Sequence, residues 1–146
     1  MLSFDILKKT FGEFKVLKEE RWNADYEGIL IKTIDSNQFI RSRLAKKTSK
    51  KAGYFTVFWM KNKQYQNVPY TDVTSPELLV IVIHDENRKG IFLIPKDIAI
   101  KKNILTSQHT KGKMAMRFYP TWCSQLNKTA LATQKWQVKY FTDLSE

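Results

Sequence analysis

Cysteine is almost missing from this chain of 146 residues. Its one thiol, Cys123, has no internal disulfide partner, which excludes a disulfide-stapled secreted scaffold and points to a reducing compartment, the cytoplasm. Glycine (5) and proline (4) are scarce beside 42% hydrophobic and 13% aromatic residues. That excludes low-complexity or collagen-like chains and predicts a folded globular domain. Long apolar runs are absent too. The longest, LLVIVI at Leu78 to Ile83, is far too short to cross a bilayer. The opening MLSFDILKKTFGEFK has neither an apolar core nor a small-residue cleavage site and carries Asp5 and Glu13, unlike a secretory signal.

Chemistry-bearing motifs are equally thin. There is no G-x-x-x-x-G-K-[ST], no G-x-G-x-x-G after a strand and no G-x-S-x-G elbow, so the common nucleotide cradles and the hydrolase nucleophile are not expected. His84, His109 and Cys123 cannot assemble a zinc set of ordinary spacing. Cys123, between Trp122 and Ser124, reads as a packed small hydrophobe rather than a nucleophile served by His109. No catalytic residue, metal ligand or cofactor is expected from these patterns.

Acid is also short. Fourteen Asp and Glu face twenty-five Lys and Arg, leaving +11, and a pI near 9.7 predicts attraction to polyanions. The excess is concentrated in RSRLAKKTSKK, Arg41 to Lys51, with six basic side chains in eleven positions. Arg41 and Arg43, two apart in a predicted strand, share a face, and Lys46, Lys47, Lys50 and Lys51 follow in the turn. Lys113 and Arg117 share a face of a second strand and extend the patch if that strand lies near the first. Tyr54, Trp59, Tyr119 and Trp122 offer rings on which unstacked bases rest at about 1 to 3 kcal/mol each when exposed, although Trp59 and Trp136 are better suited to the core.

Phe4, Leu7, Phe11 and Phe14 recur at spacings of three and four, predicting an N-terminal helix capped by Ser3. Tyr26–Ile34, Gln38–Ala45, Tyr54–Met60, Leu78–Ile83, Gly90–Pro95 and Lys113–Tyr119 have strand patterns. Lys61 to Pro76 reads as a loop, Lys96 to Leu105 as a short helical crossover, and a C-terminal helix starts at Ser124 or Asn127 and runs to the end. The expected fold is a single α+β domain, residues 1–146, with a mostly antiparallel sheet of five or six strands between terminal helices. Neither terminal helix joins a basic face to a broad apolar one, so no membrane-surface role is expected.

Four ordered blocks carry a family resemblance: EERWNADYEG at Glu19 to Gly28, RLAKKTSKKAGYF at Arg43 to Phe55, GIFLIPK at Gly90 to Lys96 and GKMAMRFYPTW at Gly112 to Trp122, closed by TQKWQVKYF. They resemble the E-x-x-N-x-x-Y, R-x-A-K-x-T-P-x-K-x-G-x-F, G-x-F-x-F-P-K and G-K-x-A-x-R-x-Y-P-x-W blocks of the MepB family of small bacterial proteins. Ser49 stands where that pattern has proline, and Ile94 where it has an aromatic residue. The resemblance implies a restriction-nuclease-like core and a nucleic-acid- or nucleotide-binding role. Matched position by position, it implies Arg43, Lys46, Thr48, Lys50, Lys51, Lys113, Arg117, Tyr119, Trp122 and Gln134 as binding residues. Two further readings stay open: a metal-dependent nuclease using Glu27 with Asp25 or Asp35, although Leu44 stands where an acid-x-Lys site would place its acid, and a basic protein-interaction module.

Overall fold

The longest apolar run sets the architecture. In the computed structural model, which describes residues 1–146, LLVIVI becomes the first six residues of a strand, Leu78–Asp85, and all six are buried. A strand without polar alternation must be covered on both faces, and this one is. Leu78, Val80 and Val82 face an apolar layer with Ile29, Ile31, Ile40 and Leu44, closed by Ile6 and Leu7 of the N-terminal helix. Leu79, Ile81 and Ile83 face the opposite layer, with Tyr54, Phe58, Phe92 and Phe118.

In chain order the elements are α1 (Ser3–Phe11), β1 (Phe14–Glu19), a 3₁₀ turn (Arg21–Tyr26), β2 (Ile29–Thr33), β3 (Phe39–Lys47), β4 (Tyr54–Val57), β5 (Trp59–Lys61), β6 (Asn67–Pro69), β7 (Leu78–Asp85), β8 (Arg88–Pro95), α2 (Lys96–Lys101), β9 (Ala115–Phe118), α3 (Lys128–Gln137) and β10 (Phe141–Asp143). The main sheet has eight strands in the order β1-β2-β3-β7-β8-β10, with β4 on β3 and β9 on β4. Every pairing is antiparallel except β3 with β7. This is an α+β fold with a large mixed sheet and few helices. β5 and β6 form a separate ribbon; β5 continues the stretch expected to be a strand, which breaks at Phe58, and β6 lies in the stretch read as a loop.

The sheet exceeds the expected five or six strands at both ends of the chain. The first helix stops at Gly12, whose φ of 75° leaves the helical region, and the chain continues as β1. At the other end α3 starts at Asn127, whose side chain accepts from the Ala130 amide at 2.8 Å, and lasts only to Gln137. The remaining Phe141–Asp143 pairs with β8, giving that strand a second partner in place of an open edge.

One irregularity positions the candidate site. β3 pairs along one edge with β7 from Ile40 to Ala45. Its other edge pairs with β2 only as far as Ser42 and with β4 only from Lys46. Between these the sheet splits, and the 3₁₀ turn and its flanking residues fill the notch.

A candidate nucleic-acid interface

Arg43 points into that notch and is fully buried. Its Nη1 lies 2.7 Å from Glu20 Oε1. Nε donates to the Val57 carbonyl at 2.9 Å, Nη1 to the Ser42 carbonyl at 2.9 Å and Nη2 to Asn23 Oδ1 at 2.8 Å and Tyr70 Oη at 3.3 Å. Gly28 makes room, since a Cβ there would lie 3.0 Å from the Arg43 guanidinium carbon. Arg41 shares the same carboxylate, donating from Nε at 3.0 and 3.2 Å and from Nη2 at 3.1 Å, while Tyr70 Oη donates to Glu20 Oε2 at 3.1 Å. Burial alone would raise the Glu20 pKa; the Arg43 charge and the bonds and charge of Arg41 outweigh it and hold the carboxyl below its ordinary range. Burial, then the Glu20 charge, pushes the Tyr70 phenol up. Arg43 therefore has no free face for a phosphate, contrary to the expectation from sequence. It ties the two halves of the split sheet together.

Beyond the notch the expected convergence does occur. Lys46 stands across from Phe55, and Phe55 across from Arg117. With strands about 4.8 Å apart, the three side chains form a row roughly 10 Å long on one face. Tyr26, at the end of the 3₁₀ turn, joins it: the Lys46 ammonium lies 5.3 Å from the Tyr26 ring centroid, the Tyr26 and Phe55 rings meet at 5.9 Å, and the Arg117 guanidinium lies 5.5 Å from Phe55. Arg117 also donates to Thr48 Oγ1 at 2.9 Å and to the Ala52 carbonyl at 3.1 Å, which fastens the lysine-bearing turn to β9. Lys50 and Lys51 are exposed on that turn and, with Arg117, Tyr119 and Asn127 at the start of α3, line a hollow of about 430 Å³. None of Lys46, Lys50, Lys51 or Arg117 has a carboxylate within 4.0 Å.

The other expected residues lie elsewhere or are occupied. Lys113 precedes β9 and is about 13 Å along the chain from Arg117. Tyr119 is buried, its ring held against Gly53, whose φ of 80° suits the turn. Trp122 packs edge-on against Tyr54 and Phe141 and donates from Nε1 to Tyr54 Oη at 3.1 Å. Gln134 donates to the Pro120 and Cys123 carbonyls, holding that loop in place. The rings beside the cations are thus Tyr26 and Phe55, which sequence reading missed. Phe55 meets Lys46 through the β3–β4 register, which the sequence left undetermined.

The acid on which the nuclease reading rests is already occupied. Both Glu27 oxygens are engaged by the start of α1, accepting from the Leu2 and Ser3 amides at 3.0 Å and from Ser3 Oγ at 2.7 Å. Ser3 therefore donates to a cap instead of being one. Leu44 lies in the apolar layer under α1, and no three His, Cys, Asp or Glu side chains lie close enough to share an ion. Burial raises the Cys123 thiol pKa, which disfavours the thiolate that nucleophilic chemistry requires.

Fold and surface together define a small α+β protein with a split mixed sheet and an unpaired basic row on one face. The chain belongs to the MepB-like family, whose model matches residues 20–143. A crystal structure of MepB is 45% identical over 99% of this chain and 97% of its own, with a TM-score of 0.88. No curated protein matches the sequence. No helix is long and apolar enough to cross a membrane.

Proposed function

We propose that the protein binds nucleic acid through the Lys46–Phe55–Arg117 row and the Lys50–Lys51 turn, without cutting it, in the cytoplasm. The observation carrying this reading is the register that sets a lysine, a ring and an arginine side by side across three strands with no acid to neutralise them. Cations spaced across a sheet suit successive phosphates, and half-buried Phe55 and Tyr26 suit bases that are out of the duplex stack. Thr48 orients Arg117 and contacts phosphate only if that bond opens. We read the scaffold as a restriction-nuclease-like core; Leu44, at the position where such a site would place its acid, lies in the apolar layer and Glu27 serves a helix, which is why binding without hydrolysis is favoured.

The test is fluorescence anisotropy with labelled single-stranded DNA and RNA. Lys46→Glu with Lys50→Glu should weaken binding at least about tenfold, near 1.4 kcal/mol, while the melting curve stays unchanged because both side chains are exposed. Unchanged affinity in that double variant, or no binding by the wild type, refutes the reading. Strand cleavage with Mg²⁺ that Glu27→Ala abolishes would restore the nuclease alternative.

A further inference from the structure

A second cationic cavity lies on the other side of the notch. It is a cleft of about 530 Å³, within the range of small-ligand sites, bordered by Lys18, Arg21, Trp22, Arg41, Lys61 and Tyr70, with Glu19 and Glu20 among its acids. Glu20 offers little to a ligand, since two arginines and a phenol already bond it. The buried cluster of two guanidinium groups and one carboxylate therefore keeps one positive charge, and an isolated buried charge favours a counter-ion.

Arg41 presents that charge. It is 6% exposed, its guanidinium carbon lies 3.5 Å from the centroid of the Tyr70 ring, and Nη1 bonds only Ser75 while Nη2 bonds only Glu20. Each of those nitrogens keeps a second hydrogen with no protein acceptor. The rim adds rings that the first surface does not use. Trp22, 38% exposed, meets Tyr65, 66% exposed, edge-on at 5.8 Å. The Lys61 ammonium lies 4.7 to 5.8 Å from the ring centroids of Tyr65, Trp59 and Trp22, and Arg21 lies 4.9 Å from Trp22.

We propose that this cleft binds a 5′-phosphorylated nucleotide, its phosphate on Arg41 and Lys61 and its base against Trp22. Spare donors and ammonium charge around a fixed guanidinium suit a phosphate dianion, and an exposed indole suits a base. The same chemistry is offered by a free mononucleotide and by the terminal nucleotide of a strand. The site does not depend on the Lys46 row, although Trp22 and Tyr26 lie on one 3₁₀ turn, roughly 8 Å apart by its rise.

Calorimetric titration with the four ribonucleoside 5′-monophosphates tests it, with adenosine and inorganic phosphate as controls. At least one monophosphate should bind tenfold or more tightly than either control. Trp22→Ala and Lys61→Glu should each weaken it tenfold or more, while Lys46→Glu with Lys50→Glu leaves it within twofold. In that same double variant, preference for a 5′-phosphorylated over a 5′-hydroxyl oligonucleotide identifies a strand end as the ligand, and equal binding of the two identifies the free nucleotide. Failure of all four monophosphates to bind, or binding indifferent to Trp22→Ala and Lys61→Glu, overturns the proposal whatever happens at the Lys46 row.

Discussion

At the scale of single residues, the decisive contrast is between Arg43 and Lys46. They are three apart in one strand and both belong to the basic stretch, yet one is fully buried and the other exposed. Strand alternation sends them to opposite faces, and what sequence could not supply was Glu20, whose position beside Arg43 is a product of the split sheet. Breaking such a buried pair leaves an uncompensated charge and costs about 3 to 5 kcal/mol. Glu20→Gln should lower stability by that amount in urea unfolding. Acid should act on the same bond. Glu20 has its folded pKa held below the ordinary value of 4.5, so its contribution is complete above 4.5 and fades as pH falls through the depressed value. Urea midpoints measured below about pH 4.5 should therefore fall for wild type, with a shallower pH dependence for Glu20→Gln.

At the scale of elements, composition and periodicity located most strands, and the failures share a cause. Phe14 has the spacing to continue α1, but its ring meets Phe4 edge-on at 5.4 Å from a strand that follows Gly12, so a tertiary contact imitates helical periodicity. Phe141 likewise leaves α3 for the edge of β8, where it packs on Phe92 at 4.6 Å. Both choices depend on neighbours far along the chain, which local propensity does not encode. Sequence placed the start of α1 at Ser3, within a residue of where it lies, but its cap was illegible for the same reason, because the capping carboxylate comes from Glu27, 24 residues after Ser3. A carboxylate bonding the free amides of a helix's first turn combines a cap with a favourable dipole interaction. Glu27→Ala should accordingly lower stability by about 1 to 2 kcal/mol and leave nucleic-acid affinity at wild-type level. A loss of affinity without a loss of stability would assign Glu27 to the interface instead.

At the scale of the whole molecule, a charge of +11 could act as a diffuse field or through a few ordered contacts, and salt separates the two. The basic row and its turn offer four cations without acidic partners: Lys46, Lys50, Lys51 and Arg117. Sequence named them among six candidate cations, the other two being Arg43, which is buried, and Lys113, which precedes β9; the β3–β4–β9 ladder supplies the proximity that sequence left undetermined. If each displaces counter-ions from a single strand, log Kobs should fall against log salt concentration with a slope of about −2.8, four contacts at roughly −0.7 each. Lys46→Glu with Lys50→Glu removes two contacts, and the slope should shrink to about −1.4. Arg43→Lys, altering a buried residue of the same charge run, should lower the melting temperature and leave the slope unchanged. Anisotropy titrations across a salt series, run below each variant's melting temperature, measure all three. Equal slopes for wild type and the double variant would mean that Lys46 and Lys50 displace no counter-ions, and the ordered row would then have no part in binding.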